Sequence, residues 1–186
     1  MIRPAKPEDS REVSQLVAII LRDMELPLVE KLTEEQLLDV IEQAFLSEDT
    51  RFSQSYITVQ EIEGRVAGIA VVYPGRDADR IDRNLSELIT RIYPEERIVF
   101  EKEAEEDELY LDALCVFPEY RGQGVGTALL EATMSRSAEP GWSKLSLNVE
   151  LFNQQARKLY ERMGFVAEKD IRFAGHDYCH MFYKLS

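Results

Sequence analysis

A mixed α/β fold (α+β in character) is predicted by the way two hydrophobic periodicities alternate along the chain. Three observations carry that expectation. Helical stripes of apolar residues recur at Val13–Ile20 and Leu37–Phe45, and a hairpin pattern straddles Glu63-Gly64. The C-terminal half then reads strand, helix, strand, helix, strand, strand. Parallel pairing is expected where a helix separates two strands.

Taken in order, an extended start at Ile2–Ala5 leads into a first helix. Asp9 followed by Glu12 has the spacing of a capping box, and Val13, Leu16, Val17 and Ile20 supply its buried stripe. A second helix opens at Thr33, with Gln36 as capping partner, and buries Leu37, Leu38, Ile41 and Phe45. Strands at Ser55–Ile62 and Arg65–Tyr73 form the hairpin, and Pro74-Gly75 ends the second of them. Ile81, Leu85, Leu88 and Ile92 at helical spacing mark residues 79–94 as a helical insertion closed by Tyr93-Pro94. After an acidic run, Glu101–Glu108, comes the most apolar strand, Leu109–Val116. A helix at Gly124–Ser137, a strand at Lys144–Val149 and a helix at Asn153–Met163 follow. The chain finishes with strands Phe165–Phe173 and Asp177–Leu185, turning at Ala174-Gly175.

With 186 residues and 45% hydrophobic content, the chain is expected to form a single domain over 1–186 with an ample core. Lys and Arg number 22 against 35 Asp and Glu, a net charge of −13. That balance argues against nucleic acid and against an anionic membrane surface as partners, and suits a cationic one. The N-terminal segment has no long apolar core, and no stretch approaches the roughly 18 apolar residues of a membrane span. Cys115 and Cys179 are too few for a disulfide framework. A cytoplasmic protein with two reduced thiols is the expectation.

The strongest chemical signal is LCVFPEYRGQGVGTALL, Leu114 to Leu130. A strand ends, Pro118 breaks it, and Gly122, Gly124 and Gly126 fall in a tight turn that opens a helix. Glycines there let backbone approach an anion, and a helix N-terminus offers unpaired N–H groups at its positive end. The turn reads as a pyrophosphate cradle. It is neither a dinucleotide fingerprint, since Thr127 stands where the third glycine belongs, nor a P-loop, since Gly126 stands where lysine belongs.

These residues resemble the GNAT superfamily of N-acetyltransferases. Its acetyl-CoA motif, [Q/R]-x-x-G-x-[G/A], is matched by Arg121-Gly122-Gln123-Gly124-Val125-Gly126. A downstream signature is present from Asn153 through Ala156, Leu159 and Tyr160 to Gly164-Phe165. The close match spans Leu109 to Phe165. The resemblance implies a central, mostly antiparallel sheet flanked by helices, with the fourth and fifth strands splayed to admit the pantetheine arm. It further implies that backbone groups of Leu114, Cys115 and Val116 bond that arm. The segment Arg121, Gly122, Gln123, Gly124, Val125, Gly126 and Thr127 would hold the pyrophosphate, with Asn153 and Ala156 also at the cofactor. Tyr160 matches the family's usual general acid, which protonates the departing thiolate.

The general base is not fixed by the resemblance. Asp112 is the first candidate, because a charge interrupting Leu109–Val116 is costly unless paired or used. Strand alternation would place it on one face with Tyr110 and Leu114. An ion pair with an Arg or Lys is the structural alternative, and Glu108, on the same face, is the reserve candidate. The acidic run reads either as a solvated loop or as a guide for cationic acceptors. His176 and His180 do not have the spacing of a metal site, and no metal is expected. Cys115 would act through its backbone rather than its thiol.

The function expected is direct transfer of acetyl from acetyl-CoA to a primary amine, with a cationic small-molecule acceptor favoured by the charge. Residues 79–94 would border the acceptor pocket. A non-enzymatic acyl-CoA-sensing module and a protein or peptide N-acetyltransferase are the alternatives. A homodimer is compatible with the resemblance and not legible in the residues.

Overall fold

The computed structural model describes residues 1–137 and 141–185. Seven strands form one sheet in the order β1-β2-β3-β4-β5-β7-β6. They are β1 (Ile2–Pro4), β2 (Ile57–Ile62), β3 (Arg65–Pro74), β4 (Glu108–Val116), β5 (Lys144–Glu150), β6 (Val166–Phe173) and β7 (His176–Lys184). The α-helices are α1 (Ser10–Asp23), α2 (Pro27–Lys31), α3 (Glu34–Leu46), α4 (Ala78–Ile92), α5 (Val125–Ser137) and α6 (Gln154–Arg162). None of the described helices is long and apolar enough to cross a membrane.

Two hydrophobic clusters sandwich the sheet. On one face Leu16, Val17, Ile41, Phe45, Ile81 and Leu85 of α1, α3 and α4 meet Ile69, Val71, Tyr73 and Tyr110. On the other, Val125, Leu129 and Leu130 of α5 meet Ala67, Ala70, Leu111, Leu145 and Met181. Helix α5 comes close because β3 offers small residues there. A Cβ on Gly68 would sit 3.1 Å from Val125 and 3.2 Å from Leu129. The position of the glycine-rich turn at the head of α5 therefore follows from side-chain size in β3.

The expected capping box at Thr33 is present: Thr33 Oγ1 accepts from Gln36 N–H, and Gln36 Oε1 accepts from Thr33 N–H. The one expected at Asp9 is not. Asp9 ends a short 3₁₀ turn, accepts from Lys6 N–H at 2.7 Å and takes both its oxygens to Arg3. Glu12 reaches across to accept from Val66 N–H of β3 at 3.0 Å. Local partners claim Asp9 and a long-range one claims Glu12, so the cap does not form. The short helix α2 lies in a stretch to which the sequence analysis assigned no element.

Among the described strands only β4 and β5 pair in parallel; the other neighbours are antiparallel. The rule that an intervening helix implies parallel strands holds across α5 and fails across α4. There the irregular segment 93–107 brings the chain back to where β3 ended, so that Leu109 pairs with Pro74. It also fails across α6, because β7 lies between β5 and β6.

Candidate active site

Backbone pairing between β4 and β5 runs from Glu108–Lys144 to Leu111–Leu147 and then stops. Beyond it β4 continues to Val116 beside β3, and β5 continues to Glu150 beside β7. The strands part, and a cleft of about 1000 Å³ opens in the gap. From Asp112 onward one edge of β4 faces that cleft with no described strand beside it; Arg121 Nε donates to Val116 O at 3.1 Å, and the other donors and acceptors of the edge are open to an extended ligand.

At the far end of the open edge, Phe117 to Thr127 turn into α5. Gly122 and Gly124 adopt φ of +73° and +82°, the left-handed region that side chains avoid. A Cβ at either position would meet nothing within 4 Å, so the turn presents bare backbone outward. None of the backbone N–H groups of residues 122–127 has an acceptor among the described residues, and the first bond into the helix is from Ala128 N–H to Gly124 O at 2.9 Å. Successive free donors at the positive end of a helix make an anion site.

Of the residues singled out in this segment, Arg121, Gly122, Gly124, Val125, Gly126 and Thr127 line the cleft. Gln123 does not: its side chain folds back to donate to Glu119 O. Val125 sends its side chain into the core beneath α5. Leu114, Cys115, Val116, Asn153 and Ala156 also border the cleft. Asn153 caps α6 by accepting from Ala156 N–H at 3.1 Å. Burial pushes the Cys115 thiol up to about 11, so it is protonated at neutral pH and a poor nucleophile.

Tyr160 lies on α6 against Phe165, ring centroids 5.9 Å apart, and lines the same cleft. Burial pushes its phenol up to about 12, which keeps it protonated at neutral pH and means that transfer to a thiolate depends on close positioning.

Asp112 sits on a β-bulge. Val72 faces Leu111 and Val71 faces Ala113, so Asp112 has no partner in β3. The bulge breaks strand alternation. Asp112 stays among the polar groups around Tyr110, while Leu114 packs into the cluster under α5, opposite to the expectation that they share a face. Asp112 Oδ1 accepts from Tyr73 OH at 2.9 Å and lies 3.4 Å from Arg51 Nη1. Its Oδ2 has no hydrogen-bond partner among the described residues, while the residue borders the cleft. One oxygen is held and the other is available. Burial drives the carboxyl up to about 7, with Glu103 pushing the same way and Arg51 pulling against both.

Glu108 is placed differently. It is 0% exposed and does not line the cleft. Its oxygens bond His180 Nε2 (3.0 Å), Lys144 Nζ (3.0 Å), Ser146 Oγ (2.9 Å) and Glu105 N–H (3.0 Å). Burial raises its pKa, but these four bonds outweigh it and bring the carboxyl down to about 2. Glu108, Glu168 and His180 come within 4.8 Å of one another, and the Lys144 ammonium beside them supplies positive charge.

The acidic run is more anchored than a solvated loop. Glu101 accepts from Ala174 N–H at 2.6 Å, Glu105 bonds Lys102 and Lys169, and Glu103 turns inward to Arg51 and Tyr110. Helix α4 borders a second pocket of about 300 Å³, which shares Arg51 and Glu103 with the large cleft. Arg51 and Glu103 line the cleft although the sequence singles out neither; Glu103 stands there only within the acidic run. Nothing in the local pattern marks Arg51, which becomes central only once α4, β4 and the 93–107 segment close around it.

A family model described as the acetyltransferase (GNAT) family matches residues 21–165. A crystal structure of an N-acetyltransferase from Staphylococcus aureus Mu50 superimposes with a TM-score of 0.91 at 33% identity, covering 98% of this chain and 100% of that one. An N-alpha-acetyltransferase 30 of Schizosaccharomyces pombe is 37% identical over 60 residues, 32% of this chain and 40% of the relative. A mycothiol acetyltransferase of Corynebacterium aurimucosum is 42% identical over 71 residues, 38% of this chain and 23% of the relative. The matched stretch thus spans less than half the length of these two curated relatives.

Proposed function

The chain belongs to the GNAT family of acetyltransferases, and from that premise we propose that it moves the acetyl group of acetyl-CoA directly to a primary amine. One observation carries the reading. The unpaired edge of β4 leads, through a short 3₁₀ turn at Pro118–Tyr120, into a glycine turn whose six backbone N–H groups make no well-formed hydrogen bond among the described residues. An extended amide-bearing arm suits the first and a pyrophosphate the second. Acetyl-CoA, when bound, supplies an acetyl carbon activated as a thioester.

The protein's own groups supply the rest. A backbone N–H from the Leu114–Val116 edge polarises the carbonyl where negative charge develops. Asp112 takes a proton from the acceptor ammonium through its available oxygen, exposing the nitrogen lone pair. The C–N bond forms as the C–S bond breaks, and Tyr160 gives its proton to the departing sulfur. The nitrogen's second proton returns to the Tyr160 phenoxide by way of solvent as the amide forms, and Asp112 gives up the first to solvent, so the balance is one proton released per acetyl transferred. Glu108, outside the cleft and held at about 2, is assigned a structural role.

The net charge of −13 favours a cationic acceptor, while the cleft itself is balanced, with Asp23, Glu103, Asp112 and Glu150 set against Arg51, Arg121, Lys158 and Arg162. A peptide amine is the second reading, supported by the similarity to an N-alpha-acetyltransferase. Thiol release from acetyl-CoA against polyamines, aminoglycosides, amino acids and basic peptides separates the two. Amine-dependent release with one class supports transfer and names the acceptor. Tight acetyl-CoA binding with no release on any amine favours a sensing module instead.

A further inference from the structure

Arg51 lies in the connection between α3 and β2, 6% exposed, and gathers three carboxylates from three separate elements. Its Nε and Nη2 take both oxygens of Asp82 from α4, at 2.7 and 3.0 Å. Its Nη1 reaches Glu103 of the 93–107 segment at 3.0 Å and Asp112 of β4 at 3.4 Å. The guanidinium also lies 4.9 Å from the centre of the Phe100 ring. One positive charge therefore faces three acids whose side chains are mostly buried. Full ionisation would leave two uncompensated negative charges there. The acid with the weakest hold on the cation is the cheapest to protonate, and by distance that acid is Asp112.

We propose that Arg51 and Glu103 are positioning residues that set the proton affinity of Asp112 from opposite sides. Arg51 keeps the Asp112 carboxylate ionised enough to accept a proton, and Glu103 keeps it basic enough to want one. This rests on the reading of Asp112 as the base. The geometry supports a division of labour: Glu103 bonds Arg51 through Oε1 and the Tyr110 hydroxyl through Oε2, so both its oxygens are occupied, whereas Asp112 keeps one available. The charged and titratable groups facing Asp112 are Arg51, Tyr73 from β3, Asp82 from α4, Glu103 from the 93–107 segment and Tyr110 from β4. Asn148 of β5 adds a neutral amide, donated to the Tyr110 hydroxyl.

The test is the acidic limb of kcat/KM against pH, measured with one amine acceptor so that its own titration is common to all variants. Glu103→Gln removes a like charge and should move the limb down by about one pH unit. Arg51→Gln removes the counter-charge and should move it up by about one unit or more, while Arg51→Lys, which keeps the charge but not the two-pronged hold on Asp82, should move it less. Circular dichroism and thermal melts establish folding. If Arg51→Gln does not fold, Glu103→Gln, which keeps the cation and an amide oxygen for it, decides alone. A folded Glu103→Gln with an unmoved or upward limb overturns the proposal. Asp112→Asn tells the two failures apart. If the limb persists in that variant, Asp112 is not the base and the inference falls with it. If the limb vanishes there but does not move in Glu103→Gln, the base stands and only the role of Arg51 and Glu103 is refuted.

Discussion

Asn148 donates its side-chain amide to the hydroxyl of Tyr110 at 3.0 Å, immediately beyond the last backbone pair of β4 and β5. The same amide donates to Glu103 O at 2.9 Å, and Asn148 Oδ1 meets His180 Nδ1 at 2.7 Å. Where the strands part, a side-chain bridge continues the ladder for one more step. The fork is pinned at its base, and the gap above it remains open.

Asn148→Ala should therefore weaken the fold rather than the chemistry alone. It strips partners from a buried histidine and a buried tyrosine, a loss of about 1–3 kcal/mol. Urea unfolding monitored by circular dichroism measures it, and a variant as stable as wild type would contradict the pinning role.

Tyr160→Phe should lower kcat by about 100-fold or more while leaving the acetyl-CoA dissociation constant within about twofold. The phenol, pushed up to about 12, holds its proton at neutral pH. Stopped-flow thiol release and calorimetry give the two numbers. An unchanged kcat would remove Tyr160 as the acid.

Glu108→Gln should cost about 2 kcal/mol of stability at neutral pH and leave the acidic limb of kcat/KM where it was. The sign follows from a folded carboxyl at about 2 against an ordinary value of 4.5. The unfolded chain binds the proton first as pH falls, so the stabilisation is full above about 4.5 and is lost towards 2. Melting temperatures of wild type and variant should converge across that window. A shifted rate profile would restore Glu108 as a base candidate.

Gly124→Ala should raise the acetyl-CoA dissociation constant by about tenfold with kcat at saturation little changed. The residue holds φ at +82°, where a side chain costs about 1 kcal/mol, and relaxing it would turn N–H groups away from the anion. Equal affinity in the variant would mean that the turn does not bind the pyrophosphate.

Much of this architecture is legible in the residues because it is encoded locally. Thr33 and Gln36 cap α3 as their spacing requires, the hairpin turns at Glu63-Gly64, and the glycines after β4 mark a bare backbone turn. What was not legible depends on which partner wins, and most of those partners are distant. Asp9 and Glu12 have the pattern of a cap, but Arg3 and Lys6 claim the first and Val66, 54 residues on, the second. A bulge at Asp112 is invisible to strand alternation, because only the register against β3 reveals it. Glu108 and Asp112, four residues apart on one strand, read alike as buried acids. Their surroundings, four hydrogen bonds against a crowded share of one guanidinium, send their proton affinities in opposite directions. Arg51 offers no local signal at all, since its three partners lie 31, 52 and 61 residues away.

The most direct test of the central claim follows the acetyl carbon itself. The protein is incubated with carbonyl-labelled acetyl-CoA and the best amine of the acceptor panel, and the label is located by carbon NMR. The account predicts that the label appears as an amide on the acceptor nitrogen, one for each CoA thiol released, and that Tyr160→Phe slows both together. Label recovered as free acetate, or thiol release that does not depend on the amine, would contradict it.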